Sequence, residues 1–169
     1  GGGVSMYSPS SSLGALVSGN GSKLIIQETI LASSSLIYTA NHAKAFVSVS
    51  GKNLSAVLSI HGDSTSRVSM FLDRVIFDGI LLNNLRMEEG DGLVVSNSAM
   101  KYAHVTNCNI LRGSTTFISN VSFTTGYLST CLRIDANVQF SNTLFAVSDT
   151  TFDCPTRVPL EFGADVTNS

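Results

Sequence analysis

The sequence predicts an all-β solenoid, a parallel β-helix of about seven 23-residue coils, and three observations carry that expectation. Short apolar–polar–polar–apolar segments recur at a fixed interval, columns of like residues keep the same interval, and the segments are rich in Val, Ile, Phe, Ser and Thr and broken by Gly and Asn. A repeat of 20 to 50 residues marks stacked supersecondary units rather than a conventional core. β-Branched and aromatic residues fit strands, and nothing in the chain reads as a capped amphipathic helix.

The recurring unit is Leu72-Asp-Arg-Val-Ile-Phe77, then Val95-Ser-Asn-Ser-Ala-Met100, then Ile118-Ser-Asn-Val-Ser-Phe123, each starting 23 residues after the last, with Phe140-Ser-Asn-Thr-Leu-Phe145 following after 22. A second segment runs in phase: Leu82-Asn-Asn-Leu-Arg-Met87, Val105-Thr-Asn-Cys-Asn-Ile110, and Leu128-Ser-Thr-Cys131, which has lost the Asn. Counting backwards lands on Val49 and Leu54, then on Ile26 and Leu31, with a slip of about one residue at Ile60, His61 and Gly62. Columns follow: Phe71, Val94, Phe117 and Phe140 in one, and Leu85, Cys108, Cys131 and Cys154 in another. Charges keep the step as well, pairing Glu89 with Arg112 and Asp135, Asp63 with Arg86, and Asp78 with Lys101. Stacked strands lie about 4.8 Å apart, so opposite charges one coil apart favour the correct register.

These apolar-x-Asn-x-x-apolar units resemble the coils of right-handed parallel β-helix proteins, the pectate-lyase-like superfamily, over about residues 26 to 154. The resemblance implies a right-handed solenoid with Asn and small or thiol side chains stacked at turns, and it brings no catalytic signature. A leucine-rich-repeat solenoid is the alternative. Frames from Phe77 to Met87 and from Met100 to Ile110 fit it, but the next two place Gly126, Asp149 and Thr151 at leucine positions.

Residues 1 to 169 read as one β-helix domain, with atypical end segments at 1–22 and 155–169. The opening Gly-Gly-Gly-Val-Ser, without Met or a leader, leads to the expectation of a segment of a larger protein flanked by further coils. Charged residues make up 13% of the chain against a usual quarter, and the net charge is −2 with no Lys/Arg run. That argues against a nucleic-acid partner, and no apolar run is long enough for a transmembrane span.

Candidate chemistry is sparse. The favoured reading of Cys108, Cys131 and Cys154 is a file of reduced, buried thiols continuing Leu85, since free Cys packs as a small hydrophobe. One vertical disulfide, 108–131 or 131–154, is the alternative, because Cα atoms one rung apart suit it. Asn97, Asn120 and Asn142, in line with Arg74, read as a structural amide stack. The turn Met87-Glu88-Glu89-Gly90-Asp91-Gly92 offers carboxylates but lacks calcium-loop spacing, so a solvated turn is expected and no metal or cofactor is assigned. Glu28, Asp73, Asp78, Asp149 and Asp153 sit in different columns, and Asp149 and Asp153, four apart across a turn, do not make the carboxylate pair of glycoside hydrolysis. His42, His61 and His104 share no column, although His104 and Tyr127 are expected one coil apart. No catalytic residue is assigned. Sequons at Asn20, Asn53 and Asn120 permit N-glycosylation in a secreted chain.

The expected function is therefore a non-enzymatic structural or adhesive segment, extracellular or at a cell surface, with carbohydrate or a host surface protein as partner. The Ser/Gly-rich phrases Leu93-Val-Val-Ser-Asn97 and Val17-Ser-Gly-Asn20 resemble the dispersed-gene-family surface proteins of trypanosomatid parasites. The alternatives are a polysaccharide lyase or hydrolase, or a degenerate relative of one, and a leucine-rich-repeat recognition module.

Overall fold

The apolar-x-Asn segments turn out to be corners. In Leu72-Asp-Arg-Val-Ile-Phe77, Leu72 points in, Asp73 is half-buried, Arg74 is exposed, and Val75 and Phe77 point in again. A strand alternates with period two, so inward residues three apart at Leu72 and Val75 require one extra residue that reverses the alternation. Arg74, Asn97 and Asn120 are that residue, with φ of 53°, 49° and 52°. Among non-glycine residues, Asn is enriched in this left-handed region because its short amide bonds locally, which is why Asn recurs there.

The computed structural model describes residues 3–5, 14–27, 35–51, 53–124, 131–153, 160–163 and 165–167. The chain enters through β1 (Gly3–Ser5), β2 (Gly14–Ser18), β3 (Lys23–Gln27) and β4 (Ser35–Ala40). Its centre holds β5 (Lys44–Ser50), β6 (Asn53–His61), β7 (Arg67–Asp73), β8 (Ile76–Asn83), β9 (Arg86–Met87), β10 (Gly92–Thr106) and β11 (Asn109–Ile110). β12 (Thr115–Thr124), β13 (Leu132–Ile134), β14 (Gln139–Ser141), β15 (Leu144–Ser148), β16 (Thr151–Asp153), β17 (Leu160–Phe162) and β18 (Asp165–Thr167) follow.

Every pairing between these strands is parallel, and each strand bonds to its counterpart one circuit away: a parallel β-solenoid, consistent with a right-handed β-helix. The first face carries β1, β3, β5, β7, the start of β10, β12 and β15. A second face runs through the starts of β6 and β8, the middle of β10, the end of β12 and β16. The third holds β2, β4, the ends of β6, β8 and β10, then β13 and β17. Short strands β9, β11, β14 and β18 widen the later coils. Among the described residues every regular element is a strand, which removes the leucine-rich-repeat alternative.

Two numerical expectations are corrected. The uniform 23-residue step holds only over β5, β7, β10 and β12, about four turns rather than the expected seven: Lys44 pairs with Arg67, Met70 with Leu93, and Gly92 with Thr115. After β12 the circuit lengthens, so Ser119 meets Ser148 at a separation of 29. Phe140 therefore leaves the Phe71–Val94–Phe117 column, where Ala146 takes its place, and stacks on Ile110 instead. That column is a half-buried outer one; the inward file beside it is Val49, Leu72, Val95, Ile118 and Val147. Ile26 similarly pairs with Val47, not Val49. The slip expected near Ile60 exists slightly earlier, as a shift between Leu54 and Val57.

Inward files make the core. Phe77, Met100, Phe123 and Phe152 form one, ending in a stacked Phe123–Phe152 pair at 5.2 Å. Ile37, Ile60, Leu82, Val105 and Ile134 form another. Each buried side chain of this size contributes roughly 1.5–3 kcal/mol of burial. The described parts of the end segments, β1, β2, β17 and β18, continue the parallel ladder rather than departing from it.

Candidate functional site

The first corner column is a ladder on the outside of the solenoid. Asp73 Oδ1 accepts from Ser96 Oγ at 2.9 Å and from Asn97 Nδ2 at 2.8 Å, and Asn120 Nδ2 donates to Asn97 Oδ1 at 2.8 Å. Arg74 Nε donates to Asp73 Oδ2. These bonds, from Asn97 first, hold the Asp73 carboxyl below its ordinary range. Asp149, at φ 49°, occupies the next corner of the column, because Ser148 lies against Ser119. The fourth copy of the motif is thus Val147-Ser-Asp-Thr-Thr-Phe152, and Asn142, at φ 51°, turns a different corner above Gly113. Alongside the ladder runs a surface groove of about 450 Å³, lined by Arg74, Asn97, Ser98, Asn120, Ser122, Asp149 and Thr151 among others.

A second amide file climbs a neighbouring corner. His61 Nδ1 meets Asn83 Nδ2 at 3.3 Å, Asn107 Nδ2 donates to Asn83 Oδ1 at 2.9 Å, and Asn137 Nδ2 donates to Asn107 Oδ1. Below it Asp63 organises a turn, accepting at Oδ1 from the amides and hydroxyls of Thr65 and Ser66 and at Oδ2 from the Asn41 amide. Those bonds, led by the one from Asn41, hold its carboxyl far below the usual range.

The acidic turn is not merely solvated. The side chain of Asp91 is wholly buried: Oδ1 pairs with Lys44 Nζ at 2.5 Å and accepts from Ser69 Oγ at 2.8 Å, and Oδ2 pairs with Arg67 Nε at 2.7 Å and accepts from the Glu88 amide at 3.0 Å. Burial pushes this carboxyl up, but the bonds from Arg67, Lys44, the Glu88 amide and Ser69 outweigh it and bring it below the ordinary range. Glu88 pairs in turn with Arg86 at 2.8 Å and Arg67 at 3.4 Å. Arg67 lies one coil below Asp91 and Lys44 two coils below, at a separation of 47, so only the coiled arrangement shows the cluster. The same stacking builds something no run of sequence contains: Lys23 pairs with Lys44, Lys44 with Arg67, and Arg67 with Arg86, a column of four cations.

The cysteines part company. Leu85 and Cys108 stack, since Asn109 sits on Arg86, but the next residue above Cys108 is Val138 because Gln139 pairs with Asn109. Cys131 lies instead beside Tyr102, one residue before the Leu132–Ala103 pair. The longer circuit after β12 is the reason. Cys108 is a free, buried thiol, pushed up to about 11 by burial. Cys131 is disulfide-bonded, so the reduced file and the 108–131 bond are both corrected; Cys154 lies outside the described residues.

Of the expected charge pairs, Asp78–Lys101 forms at 2.7 Å. Asp135 pairs with Arg133 at 2.5 Å and His104 Nε2 at 3.0 Å rather than standing over Arg112, and among the described residues no ion pair joins Glu89 to Arg112 or Asp63 to Arg86. Arg133, not Tyr127, is the residue stacked on His104; Tyr127 and Glu28 lie outside the described residues. Asp153 is exposed at the end of β16. Asn20 sits in an exposed turn, Asn53 begins β6, and Asn120 is exposed while its amide is engaged with Asn97. No family model, no curated protein and no solved structure matches the chain.

Proposed function

We propose that this chain is a non-enzymatic adhesive segment of a surface or secreted protein, a pectate-lyase-like solenoid whose outer groove docks an extended polar partner, a polysaccharide or a glycosylated surface protein. What supports this reading is the corner ladder itself. Asn97 and Asn120 repeat one amide on successive coils along one groove, with Arg74 and Asp149 in the same corner position at either end, and a repeating ligand meets a repeating surface. The amides are already ordered by their neighbours, so little side-chain freedom remains to be lost on docking. The surface-protein style of the Ser/Gly-rich phrases points the same way, and the sequon at exposed Asn20 suits a secreted chain.

The test is binding of the immobilised chain to a panel of polysaccharides and to surface glycoproteins, with the Asn97→Gly/Asn120→Gly variant beside it. Glycine keeps the left-handed corners and removes the amides. The reading expects retention on at least one polymer and at least a several-fold loss in the variant. Turnover of uronic-acid polymers, with or without calcium, would overturn the non-enzymatic assignment in favour of a polysaccharide lyase.

A further inference from the structure

The cation column of Lys23, Lys44, Arg67 and Arg86 poses a physical problem that the fold solves at one end only. Like charges directly opposite on neighbouring strands destabilise a sheet. At the Arg67 end, Asp91 and Glu88 neutralise the column. Lys44 gives one of its three donors to Asp91, leaving two. Lys23 is exposed and has no acidic partner among the described residues. Beside these two lysines lies a cleft of about 220 Å³ lined, among the described residues, by Lys23, Ile25, Lys44 and Phe46: two cations, two apolar side chains and no acid.

We propose that this cleft binds an anionic sugar unit, a carboxylated or sulfated pyranose whose charged group sits between the Lys23 and Lys44 ammonium groups and whose C–H flank lies on Ile25 and Phe46. Charge complementarity requires an anion. The apolar floor and a volume several times the roughly 30 Å³ share of one water require more than a bare ion. An acidic peptide fits less well. Same-face side chains of an extended strand repeat at about 6.6 Å, out of step with rungs about 4.8 Å apart. Strands β3 and β5 are also bonded on both sides, leaving no edge for a peptide strand to join. Asp91, buried two coils above, holds Lys44 in place and is a positioning residue, while the exposed Lys23 closes on the ligand.

The experiment titrates the whole chain with a heparin-derived hexasaccharide at low and at physiological salt, with maltohexaose as the neutral control and inorganic sulfate as competitor. The site predicts saturable hexasaccharide binding that weakens with salt, about tenfold weaker binding in Lys23→Ala, the loss of one charge-assisted hydrogen bond, and none in Lys23→Glu. Melting curves matching the parent confirm that these surface variants fold. Asn97→Gly/Asn120→Gly leaves this binding unchanged, so the cleft and the corner groove succeed or fail separately. Unchanged affinity in Lys23→Glu, equal binding of maltohexaose, or no hexasaccharide binding by the parent would overturn the site. Sulfate competing as tightly as the hexasaccharide would reduce it to a bare-anion site and overturn the sugar assignment.

Discussion

Two devices outside the core hold coil to coil, and they work by opposite physics. The corner ladder of Asp73, Asn97 and Asn120 is exposed and largely neutral, and each link joins adjacent coils. The Asp91 cluster is charged, its carboxylate is entirely buried, and it ties three successive coils at once. Exposed amide bonds exchange with water, and a typical one nets only about 0.5–1.5 kcal/mol. A buried carboxylate has no such exchange open to it, so its partners become obligatory. The ladder selects a local conformation; the cluster penalises a wrong register.

The largest effect should come from breaking the buried device. Asp91→Asn takes the shared counter-charge from Lys44 and Arg67, which are themselves partly exposed, and is expected to cost about 2–3 kcal/mol in urea unfolding. The pH dependence carries the same signature. Because the folded carboxyl is held below its unfolded value, its contribution is present above the ordinary carboxylate pKa of about 3.9 and is lost as pH falls through the folded value. Asp91→Asn should flatten that acid limb of a stability–pH curve; an unaltered limb would show that the cluster does not set it.

At the exposed device, Asn97→Ala is expected to cost about 1–2 kcal/mol, since alanine at φ 49° keeps the strain and loses the amide. Asn97→Gly should cost clearly less. Equal losses would mean that the amide bonds, not the left-handed backbone, carry the corner. Thr116 marks a third case, a buried hydroxyl with no hydrogen-bond partner among the described residues, stacked between Leu93 and Phe145. Thr116→Val should therefore raise stability by about 1 kcal/mol in the same assay. Smallest is Arg74→Gly. It relieves an arginine held at φ 53° but gives up an exposed pair with Asp73, and a net gain of some tenths of a kcal/mol up to about 1 is expected in the melting midpoint.

The corners were legible from residues 72, 95 and 118 because the left-handed turn selects Asn and resets the inward pattern in one stroke. Lys101 over Asp78 was legible for the same reason, as both lie inside the uniform 23-residue stretch. Phe140 and Cys131 were misplaced because the circuit after β12 is six or seven residues longer than 23, so positions past Thr124 no longer stack at the earlier step. The Asp91 cluster and the Lys23–Lys44 cleft lay beyond column counting for a different reason. The first reaches across three coils, and the second crosses a shorter step, where Lys23 rather than Gly21 meets Lys44. A fixed period finds what is stacked once at constant pitch and misses what drifts.

Cys108 turns burial into a clock. Its sulfhydryl is packed away and held mostly protonated at neutral pH, so a thiol-directed reagent can modify it only when the surrounding turn opens. With Cys131 already consumed in its bridge, the rate at which Cys108 takes up label reports how often the coil around it opens, without any engineered probe.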